Sequence, residues 1–261
     1  MLLADKNAVV YGGGGAVGGA VAKAFAREGA HVFLAGRTAA PLGAVAEEIR
    51  NAGGKADLDV VDATDTEQVD AHLKSVTDRS GSVTVMFNGS GWADSQGALL
   101  TDMDFNRFFH VTEVALRNWF VTGTAIARHM AANGGGSIVG ITANAGTQAY
   151  SHTGGFGVAC AAVQHCLRLL AVENGPMGVR VNWVRSPGSP DAPGVREAWQ
   201  PRAEEWGMSF DEVHAEFAKD TPLRRITPLA DIANAAVFLA SDLSAGMTAS
   251  MINATGGAQS D

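Results

Sequence analysis

The sequence predicts a single doubly wound α/β domain, a parallel seven-stranded sheet with helices on both faces. Three observations carry that expectation. Short apolar runs alternate with segments of helical periodicity from one end of the 261 residues to the other. No linker, repeat or low-complexity stretch divides them, so residues 1–261 read as one domain. A glycine string joins the first strand directly to the first helix.

Taken in order, Ala8–Tyr11 reads as a strand and Val17–Glu28 as a helix, followed by strand His31–Ala35 and helix Ala40–Ala52. Ala56–Val61 is a third strand, Thr66–Ser80 a third helix and Thr84–Asn88 a fourth strand. The helical stretch Asp102–Asn133 is long enough to admit a break. Strand Ser137–Thr142, helix Gly155–Asn174 and strand Val179–Val184 restore the alternation. From Ser186 to Pro222 the rhythm fails among Pro187, Pro190, Pro193 and Pro201, with Trp199, Trp206, Phe210 and Phe217 interspersed. Leu229–Ser241 reads as the last helix and Ser250–Ala254 as the last strand.

Composition narrows the classes. A net charge of -8 opposes nucleic-acid binding, which rewards a basic face. Cys160 and Cys166 are too few for a disulfide framework or a cysteine-rich metal site, and both read as buried packing thiols. No uninterrupted apolar run reaches the roughly 18 residues that span a bilayer. The first strand begins too early for a signal peptide to precede it, so a cytoplasmic protein without a membrane partner is expected.

The string Gly12-Gly13-Gly14-Gly15-Ala16-Val17-Gly18 supplies a tight turn, room for a pyrophosphate against the backbone, and a helix N-terminus aimed at its charge. At the end of the second strand stand Gly36 and Arg37, with no carboxylate nearby. A carboxylate there would accept from the ribose hydroxyl of NAD. A guanidinium instead pairs with a 2′-phosphate, which makes NADP(H) the expected cofactor.

With these features the chain resembles the short-chain dehydrogenase/reductase family, a Rossmann-type fold. Gly12, Ala16 and Gly18 occupy the positions of the family's Gly-x-x-x-Gly-x-Gly, with alanine replacing the middle glycine. Asp62 resembles the family's adenine-contacting aspartate, and Asn88-Gly89-Ser90-Gly91 stands where the family has Asn-Asn-Ala-Gly. Pro187-Gly188 matches the turn beside the nicotinamide, and Asn253-Ala254-Thr255-Gly256-Gly257 looks like the closing Asn-x-Asp-Gly-Gly. The resemblance implies a substrate lid at about 189–222 and pairing into a homodimer or homotetramer. Phe108, Phe109, Val114 and Trp119 are candidates for an apolar seam between copies.

The resemblance fails at the proton-transfer residues. Family reductases use a tyrosine acid, a lysine four residues on, a serine and an asparagine. Aligning Arg168–Glu173 with the family's Arg-x-Leu-Ala-x-Glu puts Phe156 at the tyrosine, Cys160 at the lysine, Ala143 at the serine and Thr112 at the asparagine. No lysine occurs between Lys74 and Lys219, so no sliding of the alignment restores a Tyr-x-x-x-Lys. Phenylalanine donates no proton, and a thiol brings no positive charge.

Thr142, Tyr150 and His152 are the substitute candidates, with Asn144, His110 and Glu113 also flanking the lost positions. Three functions stay open. One is an NADPH-dependent reductase of an apolar small molecule (activated C=C, imine or carbonyl) with non-standard proton supply. A redox-neutral cyclase, isomerase, dehydratase or epimerase could keep the dinucleotide as a structural wall. A non-catalytic NADP(H)-binding protein is the third.

Overall fold

The computed structural model describes residues 1–92 and 96–259. Seven parallel strands, β1 (Asn7–Tyr11), β2 (His31–Gly36), β3 (Lys55–Val60), β4 (Val85–Asn88), β5 (Gly136–Ala143), β6 (Val179–Ser186) and β7 (Met251–Asn253), lie in the order β3-β2-β1-β4-β5-β6-β7. The helices are α1 (Ala16–Arg27), α2 (Ala39–Asn51), α3 (Thr66–Ser80), α4 (Phe105–Ala132), α5 (Phe156–Asn174), α6 (Pro193–Trp206), α7 (Phe210–Lys219) and α8 (Leu229–Ala240).

The alternation works because the central strands are buried on both faces. In β1, Val9 and Tyr11 face a core shared with α3, α4 and α5. Ala8 and Val10 face a second core with α1, α2 and α8. Chain order reverses between β1 and β4, which places a crevice at their carboxyl ends. Pairing brings Tyr11 opposite Asn88, Asn88 opposite Gly140, and Ala143 opposite Ser186, so four strand ends reach one rim.

Four expectations are corrected. The stretch expected to admit a break is one continuous helix of 28 residues, α4, capped by Asp104 accepting from Arg107 N. Trp119, placed by the sequence on a seam between copies, is fully buried and lies over Gly140 of the sheet. Cys160 is buried, but Cys166 is only half-buried. Phe156–Met177 is long and apolar enough to cross a membrane by length and composition, although no single run is unbroken. In the fold that helix flanks the sheet, burying Ala159, Val163, Leu167 and Leu170 while carrying His165, Arg168 and Glu173.

The irregular segment forms α6 and α7. Proline at the first position of α6 suits a helix start, and a Ser209–Glu212 capping box starts α7. The four aromatics pack largely on one another. Trp199 stacks with Phe210 at 5.8 Å and meets Phe217 edge-on at 4.9 Å, while Arg196 lies over Phe210 at 4.0 Å. Both Asp191 carboxylate oxygens accept from Leu229 N at 3.1 Å, tying the start of this segment to the N-terminus of α8.

Beneath the first turn, Tyr11 OH lies 3.4 Å from His72 Nδ1 in the core. His72 Nε2 is 3.6 Å from Asp59, which pairs with Arg79 at 2.6 Å. Burial pushes the His72 imidazole down to about 4, against a partial upward pull from Asp59. A histidine kept neutral in the fold but basic when unfolded supports stability above its unfolded value of about 6.5. That support drains away as pH falls from there towards about 4. Urea unfolding across this window should show stability dropping by on the order of 2–3 kcal/mol through this group. His72→Gln, which cannot titrate, should flatten the slope; an identical slope in the variant assigns the loss elsewhere.

Candidate functional site

The site begins at the glycine turn. Gly12 has φ +73, and a Cβ there would meet Ser90 N at 2.6 Å and Gly89 C at 2.7 Å. Gly18, in the first turn of α1, lies so close to the Gly12 carbonyl that any side chain would collide with it. The β1 turn, α1 and the loop after β4 therefore touch backbone to backbone. Gly15 caps α1 without a side-chain hydrogen bond, and no acidic residue occupies the first turn. The free N–H groups of that end suit an anion. Ala16 and Val17 open the helix, and Ala16 is exposed, so its methyl occupies no packed space.

Asn88 organises the next wall. Its Nδ2 donates to Asn118 Oδ1 at 2.6 Å and to Thr122 Oγ1 at 3.0 Å, and its Oδ1 accepts from Ser90 N at 3.1 Å. Sequence reasoning missed Asn118, a buried asparagine one turn beyond Ala115 on α4. Asp62 lies beyond β3, with Oδ1 accepting from Thr64 N at 2.9 Å and from Thr64 Oγ1 at 2.7 Å. These bonds, backbone first, hold its carboxyl below the usual range, and the nearby Arg37 charge adds to the effect. Arg37 itself is exposed. An uncapped helix end, a side-chain-free cradle and a cation at the β2 terminus fit a phosphorylated dinucleotide.

The four positions aligned with the family's proton-transfer groups are packed. Phe156 opens α5 and is half-buried, its ring 6.1 Å from Trp92. Cys160 is buried one turn later. Ala143 ends β5, and Thr112 is buried on α4 with its hydroxyl unpartnered among the described residues. Thr142 is buried, its Oγ1 accepting from Gln164 Nε2 on α5 at 3.3 Å. Its neighbour Asn144 is buried with Oδ1 unpartnered.

Tyr150 and His152 share the loop before α5. Tyr150 is 38% exposed and donates to Gln148 Oε1 at 2.9 Å. His152 has a left-handed backbone, φ 64, with Nδ1 3.0 Å from Ser151 Oγ. His110 is exposed, and Glu113 is exposed within 3.6 Å of Arg117.

Pro187 and Gly188 follow β6, Gly188 having φ +90 and lying against Val195 and Trp199 of α6. Ser189, next in line, is 3% exposed with an unpartnered hydroxyl. It escaped the sequence reading, although its place directly after the Pro-Gly turn was the available signal. Gln259 Nε2 reaches back to Thr147 Oγ1 at 2.7 Å, so the last described residue joins the β5–α5 loop. Among the described residues no cluster of three or more metal-ligating side chains occurs.

Comparison with known proteins agrees with this geometry. Residues 14–259 match the family described as "Enoyl-(Acyl carrier protein) reductase". An uncharacterized oxidoreductase of Mycobacterium tuberculosis is 34% identical over 262 residues, covering 98% of this chain and 92% of the relative. A peroxisomal 2,4-dienoyl-CoA reductase of Danio rerio is 31% identical over 258 residues, covering 98% of this chain and 82% of the relative. The crystal structure of a variant actinorhodin polyketide ketoreductase with NADPH superposes with a TM-score of 0.89 at 25% identity, covering 97% of each chain. The chain belongs to the short-chain dehydrogenase/reductase family of oxidoreductases.

Proposed function

We propose that the protein is an NADPH-dependent reductase of a polarised carbon–carbon double bond in an apolar small molecule. The observation that carries this reading is the Phe156 ring against Trp92, where relatives would hold a proton donor, beside a complete dinucleotide cradle. Reduction of a simple ketone leaves a localised alkoxide that needs an acid at once. Reduction of a conjugated alkene leaves charge spread onto a distant oxygen, which hydrogen bonds can hold while a carbon is protonated more slowly. The dienoyl-CoA reductase among the relatives is named for chemistry of this kind.

When bound, the dinucleotide supplies a hydride. The chain's own residues do the rest. Gly12, Gly15, Ala16, Val17 and Gly18 hold the pyrophosphate, Arg37 the 2′-phosphate and Asp62 the adenine. Asn88, Gly89, Ser90, Pro187 and Gly188 shape the wall around the nicotinamide. The Ser189 hydroxyl, unpartnered among the described residues, is a donor available to the conjugated oxygen. Trp92 and Phe156 keep water from the reacting carbon. Thr142, Tyr150 and His152 are the candidate proton sources; the Thr142 hydroxyl accepts from Gln164, which leaves its own proton free to donate.

We also infer that copies pair through α4 and α5. Phe105, Phe109 and Phe120 on α4, and Val158, Leu169 and Val172 on α5, are 42–73% exposed. Two neighbouring helices presenting such stripes match a symmetric apolar interface.

Two measurements test these readings. Absorbance of NADPH should fall with enones and enals and hold steady with unconjugated ketones, whereas binding of NADPH with no oxidation by any acceptor points to the redox-neutral reading. In the same assay, Arg37→Ala should weaken NADPH by roughly ten- to a hundredfold and NADH by less than about threefold. Equal losses would remove the phosphate role. For assembly, Phe120→Glu should reduce the mass measured by light scattering to that of one chain, and an unchanged mass would place the interface elsewhere.

A further inference from the structure

Beyond the proton-source candidates Tyr150 and His152, the loop that carries them walls a cleft to which no part of the substrate has yet been assigned. It has a volume of about 370 Å³ and is walled by residues 98–101 of the β4–α4 connection and 150–154 of the β5–α5 loop. That volume falls within the range of small-molecule sites, roughly 300–1,000 Å³. Leu99 and Leu100, 48% and 63% exposed, stand on one wall, and Tyr150 stands on the other. The walls are fastened to each other by Gly97 N donating to the His152 carbonyl at 2.8 Å. His152 meets this bond in a left-handed conformation, uncommon for a residue with a side chain. Such strain persists where the surroundings require it, here in a wall of the cleft.

From these features, we propose that the cleft binds a neutral, extended apolar group, which in the substrate is the tail attached to the conjugated head. Among the described residues no Asp, Glu, Lys or Arg lines it, and His152 is the one lining side chain able to carry a positive charge, so an ionised group would find no fixed counter-charge. Exposed leucines give such a tail something to cover. Chain connectivity sets its inner end: Thr153 and Gly154 lead within three residues to Phe156. A molecule with its head against Trp92 and Phe156 therefore has its tail directed between the two loops. The location of the head rests on the reductase reading given above; the chemistry of the cleft does not.

The test separates the two. N-phenyl-1-naphthylamine, a neutral fluorescent probe, should bind the full-length protein with saturable emission, with or without NADPH. Its dissociation constant should rise at least tenfold in the double variant Leu99→Asp/Leu100→Asp and stay near wild type in Leu100→Phe. Both leucines are exposed, so the variants should keep wild-type circular dichroism and NADPH affinity.

In parallel, kcat/KM for straight-chain enals from butenal to dodecenal should climb about two- to fourfold per methylene until the cleft is filled. The aspartate pair should abolish the climb while leaving butenal unchanged. Probe binding that is equal in wild type and the double variant overturns the proposal, as does a chain-length dependence that survives the aspartates. Probe binding lost in the variant while no enal consumes NADPH supports the apolar cleft and sinks the reductase reading.

Discussion

Three backbone segments meet at the ends of β1 and β4 with no side chain between them. The Gly12 turn leans on Gly89 and Ser90, and Gly18 brings α1 against the Gly12 carbonyl. Most of what the site can do follows from that contact. It points the uncapped start of α1 into the crevice and sets the height of the β4 loop, which Asn88 then pins through Asn118 and Thr122. The same loop delivers Trp92 to Phe156. A methyl group at Gly12 would push the loop away and with it the aromatic wall.

On the proposed reading, binding and proton transfer have come apart in this chain. The glycine turn, the uncapped start of α1 and the Arg37 cation fit a dinucleotide. The positions aligned by sequence with the family's acid and its supporting cation hold side chains that pack: Phe156 against Trp92 and Cys160 in the core. A hydroxyl remains at Thr142, but it faces α5 and Gln164. Among the described residues, unpartnered polar atoms remain at Thr112, Asn144 and Ser189 as well, each of them buried. Leaving such groups unmatched costs about 1–3 kcal/mol apiece.

Much of the fold was legible because strands buried on both faces leave continuous apolar runs, and helices between them keep a 3.6-residue period. The seven strands were placed to within a residue or two on those grounds. The glycine string was legible because backbone contact leaves one residue type no substitute. Legibility failed where a side chain's surroundings are set by distant chain. Asn118 and Thr122 are buried mid-helix only because Asn88 meets them from β4, and Trp119 faces inward because Gly140 leaves room. Between Ser186 and Pro222 the prolines suggested irregularity. One of them starts a helix, and the aromatics hold α6 to α7. Nor does any local pattern reveal that Ser189 is enclosed.

The attachment of Asp191 to the first amide of α8 has its own consequence. Where that carboxylate faces the positive end of a helix near solvent, the segment leading into α6 is moored by electrostatics rather than by interlocking apolar surface. Such a tether weakens as dissolved ions gather around it, over a length near 8 Å at physiological salt. Ionic strength would then act on the mouth of the crevice while leaving its glycine floor untouched.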